Sequence, residues 1–172
     1  MASNIHPVVA IAGASLPLVR TIIDPAQGDV ALDYRDGEQS MADALKTAGI
    51  VPSYALDAIS EHGTSLLAAR LLGSGGRLAH VLPLPDDFPP ELGISSTLTM
   101  VGDIHGVFRA PPGAGLFGEI WMHAFARGLR KDGWLSGHPW EVVDGGLGGL
   151  QAGLVRLKEG QVRGKKLVFK LT

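Results

Sequence analysis

Asp103 and His105 stand two apart in the stretch STLTMVGDIHG, and residues two apart on a strand project from one face. A carboxylate beside an imidazole can orient it or raise its pKa, which suits general acid-base catalysis. The plainer reading is a surface pair near a strand end. His62 follows a predicted strand at a helix start, where it would meet a ligand or serve as an ordinary first-turn residue. His123 lies one turn from Glu119 and Arg127 on the polar edge of a predicted helix, the pattern of a solvated face. Trp121 and Phe125 lie on its apolar side and suit a core or an interface better than stacking on a substrate. Six scattered histidines and no cysteine give no metal-ligand spacing, so no metal is expected. Ser15, Ser60 and Ser65 lack a nucleophile-elbow context, which argues against acyl-enzyme chemistry.

These side chains need a scaffold. A chain of 172 residues suffices for one domain with a real core. A hydrophobic fraction of 45% and a mean hydropathy of +0.19 suit a buried parallel sheet. A net charge of −2 gives no reason to expect nucleic acid or an anionic membrane as partner. The apolar PVVAIAGASL imitates a signal-peptide core, but no Lys or Arg precedes it, the first being Arg20. No apolar run approaches the roughly 20 residues that span a bilayer. The sequence reads as that of a soluble, cytoplasmic protein.

Pro7 to Ala12 is apolar and partly β-branched, and Gly13 permits a tight exit into a short helix from Leu16 to Ile23. DVALDYRD is a second strand, followed by a helix capped by Ser40 and stopped by Gly49. PSYALDAIS is a third strand, TSLLAARLLGSGG a helix, and RLAHVLPLP a fourth strand ended by prolines. Such alternation specifies βαβ units and a parallel sheet. STLTMVGDIHG is a fifth strand, and Leu116 to Lys131 is the strongest helix, with an apolar stripe through Phe117, Ile120, Trp121 and Phe125. HPWEVVDGG reads as an extended turn into a helix near Leu147 to Lys158, and KKLVFKL as a closing strand.

The segments ALDYRD, YALDAIS, LLGSGGRLAHVLPLP and HPWEVVDGGLGGLQAGLVRLKEGQVRGKKLVFKL resemble the zinc-independent medium-chain dehydrogenase/reductases. The likeness is greatest to the fungal quinone-oxidoreductase-like and trans-acting enoyl reductases of polyketide pathways, and it covers nearly the whole chain. It implies an α/β fold: a truncated, doubly wound, Rossmann-like parallel sheet over residues 1–172 as a single domain. The chaperonin-10-like catalytic domain, the first strand and the glycine-rich turn that holds a dinucleotide pyrophosphate have no counterpart here. GLGGLQ, residues 146–151, is the nearest imitation of that turn and fails its third glycine. The family's counterpart of the closing strand pairs in the catalytic domain, so Leu167 to Leu171 must find another edge. By analogy with dimers of the family, a homodimer through sheet edges is expected.

In an open parallel sheet, ligands bind outside the carboxyl ends of the strands. The resemblance brings positions matching Ser60 and Leu82 to Leu84 near the nicotinamide half of the cofactor. Loss of the phosphate turn with the substrate-side strands retained suggests a non-redox enzyme without cofactor. It would bind an apolar polyketide-like small molecule through Ser60, Leu82, Leu84, Trp121 and His123, and promote cyclisation, isomerisation or dehydration. Asp103, His105 and His62 are the catalytic candidates. The alternative is an enoyl or quinone reductase that binds NADPH through Ser15, Arg20 and Tyr34, or completes its site with a partner chain. A third reading is a non-catalytic, dimerising scaffold.

Overall fold

A computed structural model of the chain describes residues 4–105 and 112–171. The described residues gather into two compact units, Met1–Arg35 with Gly128–Thr172, and Asp36–Arg127. Every strand pair in both is parallel. The architecture is therefore α/β and Rossmann-like, as the strand-helix alternation predicts.

In the first unit, β1 (Val9–Ala12) pairs with β2 (Val30–Asp33), from Val9 opposite Val30 to Ala12 opposite Asp33. Between them α1 (Leu16–Arg20) starts with Pro17 in its first turn, where no intrahelical amide bond is lost. Leu16 and Leu32 are the buried side chains of this pair. Its amino end is tied by the buried Asp29 carboxylate, which accepts the amides of Val8 at 2.7 Å and Asp24 at 2.9 Å. His6 Nδ1 lies 2.7 Å from the same carboxylate. Burial disfavours the Asp29 charge, yet these bonds outweigh it and hold the carboxyl at about 2.

The closing strand finds its edge within the chain. β6 (Trp140–Val143) and β7 (Lys166–Phe169) pair from Trp140 opposite Lys166, with α5 (Leu150–Lys158) between them in sequence. Thus WEVV, expected as an extended turn, is a strand, because KLVF offers its backbone a parallel partner. A Cβ on Gly153 would lie 2.5 Å from Phe169 Cζ, so α5 rests on β7 with the Phe169 ring against Gly153, and a side chain there would have to push that ring aside.

The second unit holds α2 (Glu38–Thr47), a sheet of order β3-β4-β5, α3 (Thr64–Leu71) and α4, which runs Ala114–Gly128. β3 (Tyr54–Asp57), β4 (Arg77–His80) and β5 (Ser95–Leu98) align Tyr54, Arg77 and Ser95 at one end and Asp57, His80 and Leu98 at the other. Met41 and Leu45 of α2, Ala69 of α3 and Leu78 of β4 form the core. Burying each of the larger three stabilises by about 1.5–3 kcal/mol. Tyr54 and Leu56 project from the other face and are exposed, with the Arg77 guanidinium 5.6 Å from the Tyr54 ring centroid.

β5 is shorter than the sequence suggests. It ends at Leu98, and Val101–His105 forms a 3-10 turn instead of continuing the strand. The reason lies in β4, which ends at His80: a last ladder bond runs from the Thr99 amide to the His80 carbonyl at 2.7 Å. Beyond it come Pro83 and Pro85, which cannot donate to a ladder. Among the described residues no helix is long and apolar enough to cross a membrane.

Candidate functional site

At the carboxyl end of β3 the chain builds a bracket around one carboxylate. Asp57 Oδ1 accepts the amides of Ile59 and Ser60, each at 3.0 Å. Its Oδ2 accepts the hydroxyls of Thr64 at 2.8 Å and Ser65 at 2.6 Å. Asp57 is buried, which disfavours its charge, but the Ser65 hydroxyl, Ser60 amide and Thr64 hydroxyl prevail and hold it below the usual carboxylate range. The bracket forces an unusual backbone: Ser60 at φ +55 and His62 at φ +54 are non-glycine residues in the left-handed region. Such strain persists only where surrounding bonds over-determine it.

Ser60 joins two strand ends. Its hydroxyl donates to the Asp57 carbonyl at 3.0 Å and accepts the Val81 amide at 2.9 Å. The following segment is pinned again by His80, whose Nδ1–H donates to the Leu82 carbonyl at 2.7 Å. Leu82 is exposed and Leu84 half-buried, while His62 is presented to solvent from its strained position. Ser60, His62, Leu82 and Leu84 thus gather at one end of the β3-β4-β5 sheet. Ser60 is there as a tie between loops.

The end of β5 contributes a second feature. Asp103 and His105 do not share a strand face, as the alternation predicts, because both lie in the 3-10 turn. Asp103 Oδ2 accepts the Met100 amide at 3.2 Å, bracing its own turn. Its Oδ1 is buried and finds no donor among the described residues. His105 instead meets α4 across an open hollow of about 460 Å³, lined also by Glu119 and His123. The close approach depends on Gly118, where a Cβ would sit 1.9 Å from the Ile104 carbonyl oxygen. Trp121 is not among the residues lining the hollow; it is exposed and stacks on Phe117, with centroids 6.4 Å apart. Among the described residues no cluster of three His, Asp or Glu could hold a metal ion.

In the first unit, the carboxyl ends of β1 and β2 bring Tyr34 against Gly13, where a Cβ would lie 2.4 Å from Tyr34 Cε1. Asp33 is bound by Arg35, whose Nε donates at 2.8 Å, whose Nη2 also contacts it, and whose amide donates at 3.0 Å. The Arg35 side chain first, then its amide, with Arg20 adding attraction, hold the Asp33 carboxyl at about 2. Ser15 follows the carboxyl end of β1 and Tyr34 that of β2, while Arg20, at the far end of α1, is near enough to act on the Asp33 charge. Sequence reasoning overlooked Asp57 and Arg35. The signal for Asp57 was an aspartate ending an apolar strand, followed by Ser60 and then by Thr64-Ser65 at a helix start.

No family model matches the chain. It is 34% identical over 148 residues to the trans-enoyl reductase fsr4 of Gibberella fujikuroi, covering 83% of this chain and 41% of that protein. It is 31% identical to the dehydrogenase mokE of Monascus pilosus, covering 81% of this chain and 41% of the other. It is also 31% identical to lovC of Aspergillus terreus, the enoyl reductase component of lovastatin nonaketide synthase, over 69% of this chain and 35% of that one. The crystal structure of the CurK enoyl reductase shares the fold, with a TM-score of 0.57 at 13% identity, over 93% of this chain and 47% of that one.

These relatives correct the expectation of a cyclase, isomerase or lyase in place of an oxidoreductase, since they are named as reductases or a dehydrogenase. That expectation rested on a missing glycine-rich turn. A chain spanning 41% of the first relative's length is not obliged to carry that turn, whatever the chemistry. By these likenesses the chain is a relative of the fungal trans-enoyl reductases of polyketide pathways and spans about two fifths of their length.

Proposed function

We propose that the chain is the nucleotide-binding part of an enoyl reductase of fungal polyketide assembly, using NADPH to saturate an α,β-unsaturated acyl group. The observation that carries this reading is the likeness to the reductase fsr4 over 83% of the chain, together with the polar set at the ends of β1 and β2. Those residues fit one end of NADPH. Ser15 offers a hydroxyl, Tyr34 a phenol and Arg20 an exposed cation, the donors an adenosine 2′-phosphate needs. Arg35 covers the Asp33 charge that would otherwise repel that phosphate. When bound, NADPH supplies the hydride.

The chain's own residues do the remaining work. Ser15 and Arg20 hold the phosphate, and Tyr34, its ring packed on Gly13, offers the adenosine its phenol. At the ends of β3 and β4, the Asp57 bracket and the Ser60 tie keep the Val81–Leu84 segment in place, so that Leu82 and Leu84 form an apolar wall. Such a wall keeps water from a reacting centre. Titration with NADPH, followed by its fluorescence, tests the reading. Saturable micromolar binding is expected, and Arg20→Ala should weaken it about tenfold while leaving NADH binding unchanged, as one lost charge-assisted bond implies. No saturable NADPH binding would sink it.

A further inference from the structure

Resting on the reductase reading, we propose that the hollow between the Val101–His105 turn and α4 is the acyl subsite, with His105 and His123 the donors that grip the thioester carbonyl. The hollow lies just beyond the carboxyl end of β5, the side on which open parallel sheets receive ligands. Its volume of about 460 Å³ falls within the range of small-molecule sites.

Its lining specifies the ligand. Ile104 and Met122 offer apolar surface, and an unbranched methionine adapts to chains of different shape. His105 and His123 enter from opposite elements, and each imidazole carries an N–H donor. Glu119 accepts only and repels a free carboxylate, so a neutral carbonyl on a carbon chain is favoured over a fatty acid. The site is built rather than incidental. Gly118 has no room for a side chain against the Ile104 carbonyl, so helix and turn are held at backbone contact. An acyl thioester fits this set: its oxygen between two imidazoles, its chain along Ile104 and Met122.

The test is histidine-ring NMR on the intact chain, titrated with hexanoyl-pantetheine, a saturated thioester that cannot be reduced. The His105 and His123 resonances should move together and saturate, while His6 and His138 stay still. His105→Asn with His123→Asn should weaken binding at least tenfold with an unchanged melting temperature. Glu119→Gln should let hexanoate compete where the wild type excludes it. Unmoved His105 and His123 signals, or a double variant that binds as well as wild type, overturn the subsite. NADPH titration on the same sample reports the cofactor end separately, so failure of the reductase reading would show there.

Discussion

Two strands of this molecule end in the same three residues, Ala-Leu-Asp, and the two aspartates lead different lives. Asp33 ends β2 and is answered by a cation two residues on, Arg35. Asp57 ends β3 and is answered by four neutral donors within the next eight residues. Both carboxyls are held below their ordinary range, for different reasons. A guanidinium neutralises the first and leaves the strand end open around it. Amides and hydroxyls enclose the second and turn it into a structural hub. An identical strand ending therefore yields a solvent-side ion pair in one unit and a buried brace in the other, decided by the residues that come after the aspartate.

The severest test of this contrast is Asp57→Ala. It strands several buried donors at once, so a loss of about 3–5 kcal/mol is expected, read as a large fall in melting temperature. A loss no greater than that of an average surface substitution would mean that the bracket is not a brace. Acid titration probes the same brace. A depressed carboxyl adds stability that is complete above the unfolded pKa of about 3.9 and is lost as pH falls through the folded value. Wild type should therefore lose stability steadily below about pH 4, and Asp57→Asn should show a shallower slope over the same window.

Asp33→Asn should behave otherwise, moving the melting temperature by about 2 °C or less because the pair it breaks is near solvent. Its effect belongs to binding: removing the Asp33 charge, which opposes a phosphate, should tighten NADPH modestly. The smallest effect on stability is expected from Thr97→Lys on the exposed edge strand β5. A homodimer joined through that edge, which we propose, would be split by the added charge and sediment as a monomer. An unchanged sedimentation profile would remove the edge from consideration as the interface.

Where apolar runs alternated with capped helices, the sequence was legible. β1 to β4, α1 and α3 lie where the pattern places them, because buried parallel strands and amphipathic helices write their periods into the chain. α2 starts earlier than expected, at Glu38 with Gly37 at its cap, so Ser40 lies inside the helix. It was not legible where a neighbour decides. The alternation through Met100 and Gly102 promises a longer β5, but the ladder stops when β4 stops. WEVV looks like a turn until KLVF supplies a partner. Ser15 and Tyr34 were visible as strand ends, and Arg20 joined them only through the family resemblance. That His105 and His123 line one hollow was not visible, since it depends on a helix-turn contact made at Gly118. Asp57 was hidden for another reason: a satisfied buried carboxylate has no period, only local donors.

The left-handed backbone at Ser60 and His62 also sets a rule for how this gene can drift. Positions in that region admit glycine, asparagine and aspartate at little cost and reject β-branched residues. The two sites should therefore tolerate a narrow alphabet unrelated to size or polarity. Valine or isoleucine at position 60 or 62 would be purged even in a lineage under no selection for any chemistry, so long as it still needed the fold.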